Sequence, residues 1–256
     1  MSKPAFRDSV EWWRRLFLNP PPRLKLPFSR PRPLRHANPE DGIVKWGLHR
    51  ATSERLDRIA REEGATSYVI RLAALVALLA EGAGHSDVIL GTYVTTRNCV
   101  ESQNLFGFFS NLVTLRFQCE LAETFRKWVV EVGNRVANTQ ANGGIPYEIL
   151  CDELRKQKIL PPDIDLIMGA SNARSPVYFD DLELTWLERR YESMPWGVTV
   201  AFDVQNEQKG CGTIFDARLH DPVRVRAWTA RFLRLLELAA ESPDFTLEKL
   251  LHSSSG

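Results

Sequence analysis

The sequence predicts an α/β protein, a sandwich in which helices flank one mixed β-sheet. Predicted helices and strands alternate through the first half of the chain, whereas predicted strands cluster in the second half. Residues 68–81 are apolar almost all round apart from Arg71, which is typical of a helix in the centre of a core. The chain has 256 residues, of which 44% are hydrophobic, and is long enough to bury such a core. We therefore expect one lobe over residues 43–256, preceded by an N-terminal arm over residues 1–42.

The arm combines a short helix with a proline-rich stretch. Residues 8–17 predict the helix, with Trp12, Trp13 and Leu16 on an apolar side that needs a surface to pack on. Residues 19–42 hold seven prolines. Because proline fixes φ and removes a backbone donor, we expect this stretch to be an extended, solvated linker with little regular structure.

Short apolar runs bounded by polar or turn residues predict six strands in the lobe. These are residues 43–48, 88–94, 110–117, 164–169, 197–204 and 213–218. Runs that are rich in β-branched and aromatic residues suit strands with at least one buried face.

Apolar residues spaced three and four apart predict the helices. Residues 53–63 form the first helix of the lobe, with Leu56, Ile59 and Ala60 on one face and Gly64 placed to end it. The central apolar helix follows directly, which places two helices between the first two strands.

Three more helices are predicted later in the chain. Residues 124–140 carry an inner stripe of Phe125, Trp128, Val129, Val132 and Val136. Pro146 suits the first turn of a shorter helix that runs to about residue 155. Asp221 can cap, and Pro222 can open, a final long helix. The inner stripe of that helix is Val225, Trp228, Phe232, Leu235 and Leu236.

Composition excludes several classes of function. The net charge is +1, so no overall field favours nucleic acid or an anionic membrane. The basic residues of the arm lack the interleaved aromatic side chains that stack on bases. The longest apolar run, residues 72–80, is far shorter than the ~20 residues of a membrane span. The start of the chain has no signal-peptide pattern, so we expect a cytoplasmic protein.

Metal and nucleophile motifs are also missing. The four cysteines include no C-x-x-C pair, so neither a zinc site nor a redox dithiol is indicated, and we expect free thiols. Residues 169–173 read G-A-S-N-A after an apolar strand, which is similar to the nucleophile elbow of α/β-hydrolases. That elbow needs a helix directly after Ser171, and the following Arg174-Ser175-Pro176 argues against one. We therefore predict no metal ligand and no catalytic residue in this chain.

One segment carries a family resemblance. Residues 105–116, Leu-Phe-Gly-Phe-Phe-Ser-Asn-Leu-Val-Thr-Leu-Arg, resemble the signature (I/V)-G-x-F-V-N-T-x-x-x-R in the C-terminal half of condensation domains from nonribosomal peptide synthetases. Further likenesses run in the family's order: E-W-W-R-R-L at 11–16, A-R-E-E-G-A-T at 60–66, and D-V-I-L-G-T at 87–92 followed by Arg97. The resemblance implies the C-terminal lobe of a chloramphenicol-acetyltransferase-like fold.

The resemblance also suggests residue roles around the signature. Gly107, Ser110 and Asn111 are the candidates for lining a substrate channel between two lobes. An alternative for Asn111 is that its side chain satisfies backbone groups at the start of a strand. Phe108 and Phe109 are expected in the core rather than against substrate, and Arg116 is the arginine that ends the signature.

A second family segment, H-Q-D-x-P-F-E, maps onto residues 142–148. Here Gly143 and Gly144 replace the Gln-Asp pair. Pro146, Tyr147 and Glu148 are expected to start a helix, with Glu148 favourable in the first turn.

The implied activity is amide-bond formation in nonribosomal peptide biosynthesis, a transferase reaction of secondary metabolism. The family keeps its catalytic H-H-x-x-x-D-G motif in the N-terminal lobe, whereas the five histidines here stand singly. The implied partners are that N-terminal lobe and the carrier proteins whose phosphopantetheine arms hold the substrates, with no cofactor bound directly. An alternative is a non-catalytic module that docks carrier proteins. We expect the chain to be inactive alone.

Overall fold

The computed structural model describes residues 3–30, 41–97, 100–103, 105–107, 109–171, 197–203 and 211–255. Within these ranges the strands form one six-stranded sheet. The strands are β1 (Asp41–Trp46), β2 (Asp87–Thr95), β3 (Ser110–Gln118), β4 (Leu166–Ser171), β5 (Val198–Asp203) and β6 (Cys211–Asp216). Each of the six predicted strands is present, with ends shifted by about two residues, which is the usual uncertainty of strand boundaries.

The sheet is mixed, and its order is β1-β6-β5-β4-β2-β3. Strand β4 lies parallel to both β2 and β5, whereas the other neighbouring pairs are antiparallel. In the register of β2 with β3, Val94 faces Asn111 and Thr95 faces Ser110. The predicted fold class, an α/β sandwich with a mixed sheet flanked by helices, is therefore confirmed.

The helices are α1 (Lys3–Phe17), α2 (Arg50–Glu62), α3 (Ser67–Ala83), α4 (Val100–Gln103), α5 (Phe125–Asn142), α6 (Tyr147–Lys156), α7 (Pro222–Glu241) and α8 (Leu247–Ser253). Three details differ from the prediction. Helix α1 begins well before residue 8, and Pro146 is the capping residue before α6 rather than part of its first turn. Helices α4 and α8 were not predicted.

The main core is built around α3, in which every residue from Val69 to Ala80 is buried. The predicted inner faces of α2, α5 and α7 are all buried against it or its neighbours, and α8 adds Leu247, Leu250 and Leu251. The one charged residue in the buried part of α3, Arg71, is 1% exposed and pairs with Asp57 at 3.0 Å. Pairing at this distance offsets part of the cost of removing the guanidinium from water.

Residues 19–30 of the proline-rich stretch are not the solvated linker that its composition predicts, and residues 31–40 lie outside the described residues. Leu24, Leu26 and Phe28 are buried in the main core. The ring of Phe28 meets that of Trp228 edge-on, with 5.3 Å between centroids. Alternate residues of the stretch thus supply apolar side chains to the core, and composition alone does not show this alternation.

A second hydrophobic group, called here the edge cluster, lies beside strand β3 at the edge of the sheet. It consists of Val10, Trp13, Phe17, Ile89, Val113, Ile145, Leu150 and Leu154. These residues come from α1, from α6 and its preceding loop, and from the last two strands of the sheet order. The indole Nε1 of Trp13 donates to the carbonyl oxygen of Asn142 at 3.0 Å. The edge cluster is the packing surface that the predicted apolar side of α1 requires.

In the part of the chain that the structure describes, no single helix is long and apolar enough to cross a membrane. Helices α2 and α3 reach that composition only as a pair bent by 100°, and α3 is buried inside the core.

Candidate functional site

The predicted channel residues lie where β3 begins and β2 ends. Gly107 and Ser110 are exposed, whereas Asn111 is 9% exposed. Phe108, which the same motif includes, lies outside the described residues. The structure thus brings an exposed hydroxyl and a buried amide to one end of the sheet.

The Asn111 amide group holds the turn between α5 and α6. Its Nδ2 donates to the carbonyl oxygens of Gly143 at 2.7 Å and Ile145 at 2.5 Å. The Asn111 side chain thus satisfies backbone groups, which was the alternative to a channel role. The carbonyls that it bonds belong to a turn about 30 residues away in the sequence, not to the start of its own strand. Its role in lining a channel stays a prediction.

Gly143, where this turn departs from the family motif, is closely surrounded. A Cβ atom there would lie 3.2 Å from the Thr139 carbonyl oxygen and 3.2 Å from methyl groups of Val94 and Val113. Only a glycine fits at this position without a shift of its neighbours. The glutamine of the resembling motif would require Val94, Val113 and the Thr139 carbonyl to move by a few tenths of an ångström.

Arg97 organises the loop that precedes the signature. Its guanidinium lies 4.0 Å from the centroid of the Phe109 ring, and its Nη1 donates to the carbonyl oxygens of Ser102 and Leu105. Phe109 is half-buried, so it is not the fully buried core residue that the sequence predicts. The contact between the cation and the ring fixes the start of β3 relative to this loop.

The same loop exposes large apolar side chains. Phe106 is fully exposed, Leu105 and Val100 are 55% and 76% exposed, and Tyr93 at the end of β2 is 48% exposed. We call these four residues the apolar lip. A group of exposed apolar side chains next to a candidate site marks a surface for another molecule or domain.

Arg116 is a structural clamp. Its Nε and Nη2 donate to the two carboxylate oxygens of Asp87 at 2.9 and 2.6 Å. Its Nη1 donates to the carbonyl oxygens of Leu16 at 2.5 Å and Asn19 at 2.7 Å, just where α1 ends. The arginine of the signature therefore joins the arm to strands β2 and β3.

The second motif lies at the start of α6, as predicted. Pro146 and Glu148 are exposed, whereas Tyr147 is half-buried and its hydroxyl donates to the carbonyl oxygen of Pro162 at 2.8 Å. Burial raises the pKa of Tyr147 far above its ordinary value, so the phenol stays neutral. These contacts position the helix, and none of them presents a group for proton transfer.

A cavity of about 450 Å³ lies between α3, α5 and the end of β2. On its wall the Tyr68 hydroxyl donates to Thr92 Oγ1 at 2.8 Å, and Thr92 in turn donates to the Met168 carbonyl oxygen at 3.0 Å. Burial raises the pKa of Tyr68, so this hydroxyl also stays protonated. This cavity was not predicted from the sequence. A glycine in the middle of a helix, Gly133 of α5, was the available signal.

His49, His85 and His220 lie away from the start of β3. His85 precedes β2, and Asn111 pairs with the other end of that strand, which is ~25 Å away at 3.3 Å per residue. His49 follows β1 and His220 follows β6, at the opposite side of the sheet. His36 lies outside the described residues. His85 is half-buried rather than in an exposed loop.

The structure also bears on the metal and nucleophile alternatives. Across the described ranges, no group of three or more His, Cys, Asp or Glu side chains could hold a metal ion. Ser171 is the last residue of β4, and the segment that would form the hydrolase elbow lies outside the described residues. Cys119, Cys151 and Cys211 are buried free thiols, and burial raises the pKa of Cys119 to about 12.

Comparisons with known proteins agree on one family. The condensation-domain family model matches residues 1–255. Gramicidin S synthase 2 of Aneurinibacillus migulanus is 27% identical over 253 residues, which are 96% of this chain and 6% of that protein. The chain therefore spans a small part of this curated relative.

Solved structures show the same fold. The condensation domain of the monacolin K polyketide synthase MokA matches with a TM-score of 0.79 at 19% identity, over 94% of this chain and 59% of that chain. A structure of the complex of the X-domain and OxyB from teicoplanin biosynthesis matches with a TM-score of 0.81 at 22% identity, over 96% of this chain and 55% of that chain. Little more than half of each matched structure is thus represented here.

Proposed function

The chain belongs to the condensation-domain family, and on that premise we propose that it forms the C-terminal lobe of an amide-forming condensation domain. In this role it supplies one wall of the channel in which two carrier-bound substrates are joined. The single observation that carries the proposal is the partial overlap. The structural match to the MokA condensation domain includes 94% of this chain but only 59% of the MokA chain.

The missing catalytic group fits this assignment. Amide formation from a thioester requires removal of a proton from the attacking amine, and a histidine is the usual group for such a step. The sequence contains no H-H-x-x-x-D-G motif, and His49, His85 and His220 lie far from the start of β3. We infer that an N-terminal lobe supplies this histidine, while Gly107, Ser110 and Asn111 shape the channel on this side.

The apolar lip supports a neighbour at the same place. Phe106 is fully exposed four residues before Ser110, and its burial by a second lobe would remove a large apolar surface from water. Burying one phenylalanine side chain contributes about 1.5–3 kcal/mol. The lip is therefore the proposed contact with the N-terminal lobe, and the channel would run along it.

The substrates are proposed to arrive on phosphopantetheine arms of carrier proteins, without a cofactor bound by this chain. No charged group is needed for the chemistry on this wall, because the donor of the acyl group is already an activated thioester. The wall's tasks are to position the two arms and to exclude water.

The test is reconstitution with an N-terminal lobe that carries the histidine motif. The two lobes and two carrier proteins loaded with aminoacyl groups are mixed, and mass spectrometry detects a dipeptidyl carrier. We expect product with both lobes and none with either lobe alone. Lack of product from a stably associated pair of lobes would contradict the catalytic role.

The lobe contact has its own variant and control. Phe106→Glu is expected to weaken association of the lobes at least tenfold. Val223→Glu, at a 77% exposed apolar position of α7, is expected to leave association unchanged. Equal effects of the two changes would place the lobe contact elsewhere.

A docking module without chemistry is the second candidate. The observation that favours it is the fold shared with the X-domain, which has been solved in a complex with OxyB. In the same reconstitution, binding of carrier proteins without product formation would support this candidate instead.

A further inference from the structure

The cavity between α3 and α5 is a built site that the channel argument does not use. Its volume of about 450 Å³ lies within the 300–1,000 Å³ range of small-molecule sites. Two small residues of α5, Gly133 and Ala137, line it where larger side chains would close the space. The cavity therefore depends on residue size along one face of α5.

Apolar and polar side chains share the wall about equally, and the wall carries no free charge. Val69, Leu115, Val130 and Val136 supply the apolar part. The only acidic residue on the wall, Glu63, is paired with Arg126 at 2.7 Å. A charged occupant would lose its hydration without gaining a partner, which is costly. The cavity is therefore suited to an uncharged group.

One polar group on the wall lacks a partner. Thr139 lines the cavity and is 1% exposed, and its hydroxyl has no hydrogen-bond partner among the residues that the structure describes. A buried hydroxyl without a partner is uncommon in folded proteins and calls for an explanation. A carbonyl or amide on an occupant of the cavity would satisfy it.

The cavity and the proposed channel share one end of the sheet. Val94 lines the cavity and pairs directly with Asn111 across β2 and β3. Val94 and Thr139 are also two of the three residues that Gly143 closely approaches. A substrate held near Ser110 and Asn111 is therefore close to this cavity.

We propose that this cavity binds the uncharged side chain of one carrier-tethered substrate, with the Thr139 hydroxyl bonded to an amide or carbonyl group of that substrate. The identity of this occupant rests on the proposed function, whereas the preference for an uncharged ligand rests on the wall itself. The site would thus select substrates by the charge and size of their side chains.

The test uses the whole 256-residue chain and two probes. N-acetyl-leucine N-methylamide is the uncharged aliphatic probe, and N-acetyl-glutamate N-methylamide is its charged counterpart. Binding is measured by ligand-observed NMR titration at pH 7.5. We expect the leucine probe to bind at least tenfold more tightly than the glutamate probe. Equal binding of both, or no binding of the leucine probe, overturns the proposal.

A matched pair of variants locates the binding. Ala137→Trp places a large side chain on the cavity wall, whereas Ala141→Trp makes the same change one turn later on α5, outside the wall. Both positions are exposed, so both variants should fold, which thermal melts check. We expect the first change to weaken leucine-probe binding at least tenfold and the second to leave it unchanged. Equal effects overturn the location.

Thr139→Val tests the hydroxyl. The change keeps the shape of the side chain and removes the only unpaired polar atom at this position, so we expect several-fold weaker binding of the leucine probe. Unchanged binding overturns the role of Thr139. If the reconstituted lobes form the dipeptide but the leucine probe does not bind, the cavity proposal is wrong and the proposed function stands. Probe binding without dipeptide formation counts against the proposed function instead.

Discussion

The main core and the edge cluster are held together by different kinds of contact. The main core surrounds α3, whose residues from Val69 to Ala80 are buried on all sides, and its contacts are mostly apolar. The edge cluster combines two short helices with the edge of the sheet and has far fewer buried residues. Side-chain hydrogen bonds from Arg116, Trp13 and Asn111 to distant backbone carbonyl oxygens also hold it, and we call these bonds polar ties.

This difference affects how each region responds to change. Apolar burial is spread over many side chains, and removing part of one leaves the others in place. A polar tie depends on a few atoms, and losing one partner leaves a buried group unsatisfied. We therefore expect the main core to set global stability, and the edge cluster to open separately when a tie is cut.

The largest expected effect is in the main core. Leu75→Ala, at a fully buried position of α3, should lower the free energy of unfolding by about 2–5 kcal/mol, because it leaves a cavity that the surrounding helices cannot fill. Urea denaturation followed by circular dichroism measures the change. Leu18→Ala, at a position that is 52% exposed, is the control and should cost about 0.5 kcal/mol or less. Similar losses for both would mean that α3 is not the centre of stability.

The next effect is at the clamp of the edge cluster. Arg116→Met leaves the carboxylate of Asp87, a side chain that is only 17% exposed, without its partner. We expect a loss of about 2–3 kcal/mol, since hydrogen bonds to charged groups contribute about 1.5–3 kcal/mol. Trypsin should then cut the arm at Arg14 or Arg15 before the lobe unfolds.

A surface pair provides the control for the clamp. Arg155 and Asp152 form a similar ion pair, but both side chains are more than 60% exposed. Arg155→Met should therefore change stability by about 1 kcal/mol at most. If this change exposes the arm to trypsin as strongly as Arg116→Met does, the clamp is not what holds α1.

A smaller effect is expected at the tie in the α5–α6 turn. Asn111→Ala removes two donated hydrogen bonds and should cost about 1–3 kcal/mol. Asn111→Asp should cost more, because its carboxylate faces two carbonyl oxygens that it cannot donate to. Hydrogen exchange at residues 143–147 should rise in both variants. Asn142→Ala, whose amide makes an exposed bond to Asn138, should leave that exchange unchanged.

The smallest effect is a pH dependence where the arm meets the main core. Burial lowers the pKa of His220, with Asp216 and Asp165 acting in the opposite direction, and the Phe28 ring lies 5.4 Å from the imidazole. The unfolded chain, with a histidine pKa near ~6.5, then takes up a proton that the folded chain resists. Stability should therefore be full above about pH 6.5 and should fall as the pH drops towards the lowered pKa.

His220→Gln removes this titration. Thermal melts from pH 7.5 to pH 5 should show a smaller decrease for the variant than for the unaltered chain. A decrease of the same size in both would mean that other groups carry the pH dependence.

The elements were predictable because local patterns specify them. Residues 68–81 are apolar all round, and α3 is buried all round. Asp221 caps α7 in the structure through its side chain, which accepts from Val223 and Arg224. Helix α8 was missed although Thr246 caps it and Leu247, Leu250 and Leu251 follow at helical spacing. A pattern of only seven residues is too short to stand out from a loop.

The arrangement of the elements was not predictable in the same way. Which strands become neighbours depends on contacts between distant residues, so the order β1-β6-β5-β4-β2-β3 has no local signal. The residues predicted near the channel are at one end of the sheet, but the partners of Asn111 and Arg116 lie in other parts of the chain. The cavity is a space between α3 and α5. Its presence depends on how the two helices pack, and the sequence of each helix does not show that packing.

The pairing of β1 with β6 has a consequence for synthesis on the ribosome. Asp41 pairs with Asp216 and Trp46 with Cys211, so the first strand of the lobe must wait for the last one to be translated. Once β1 has left the ribosomal exit tunnel, its backbone groups stay unpaired and its apolar face stays exposed until β6 has been made. Strands in this state are prone to pair with other chains. A nascent chain of this lobe is therefore expected to engage a ribosome-associated chaperone until its final third has been made.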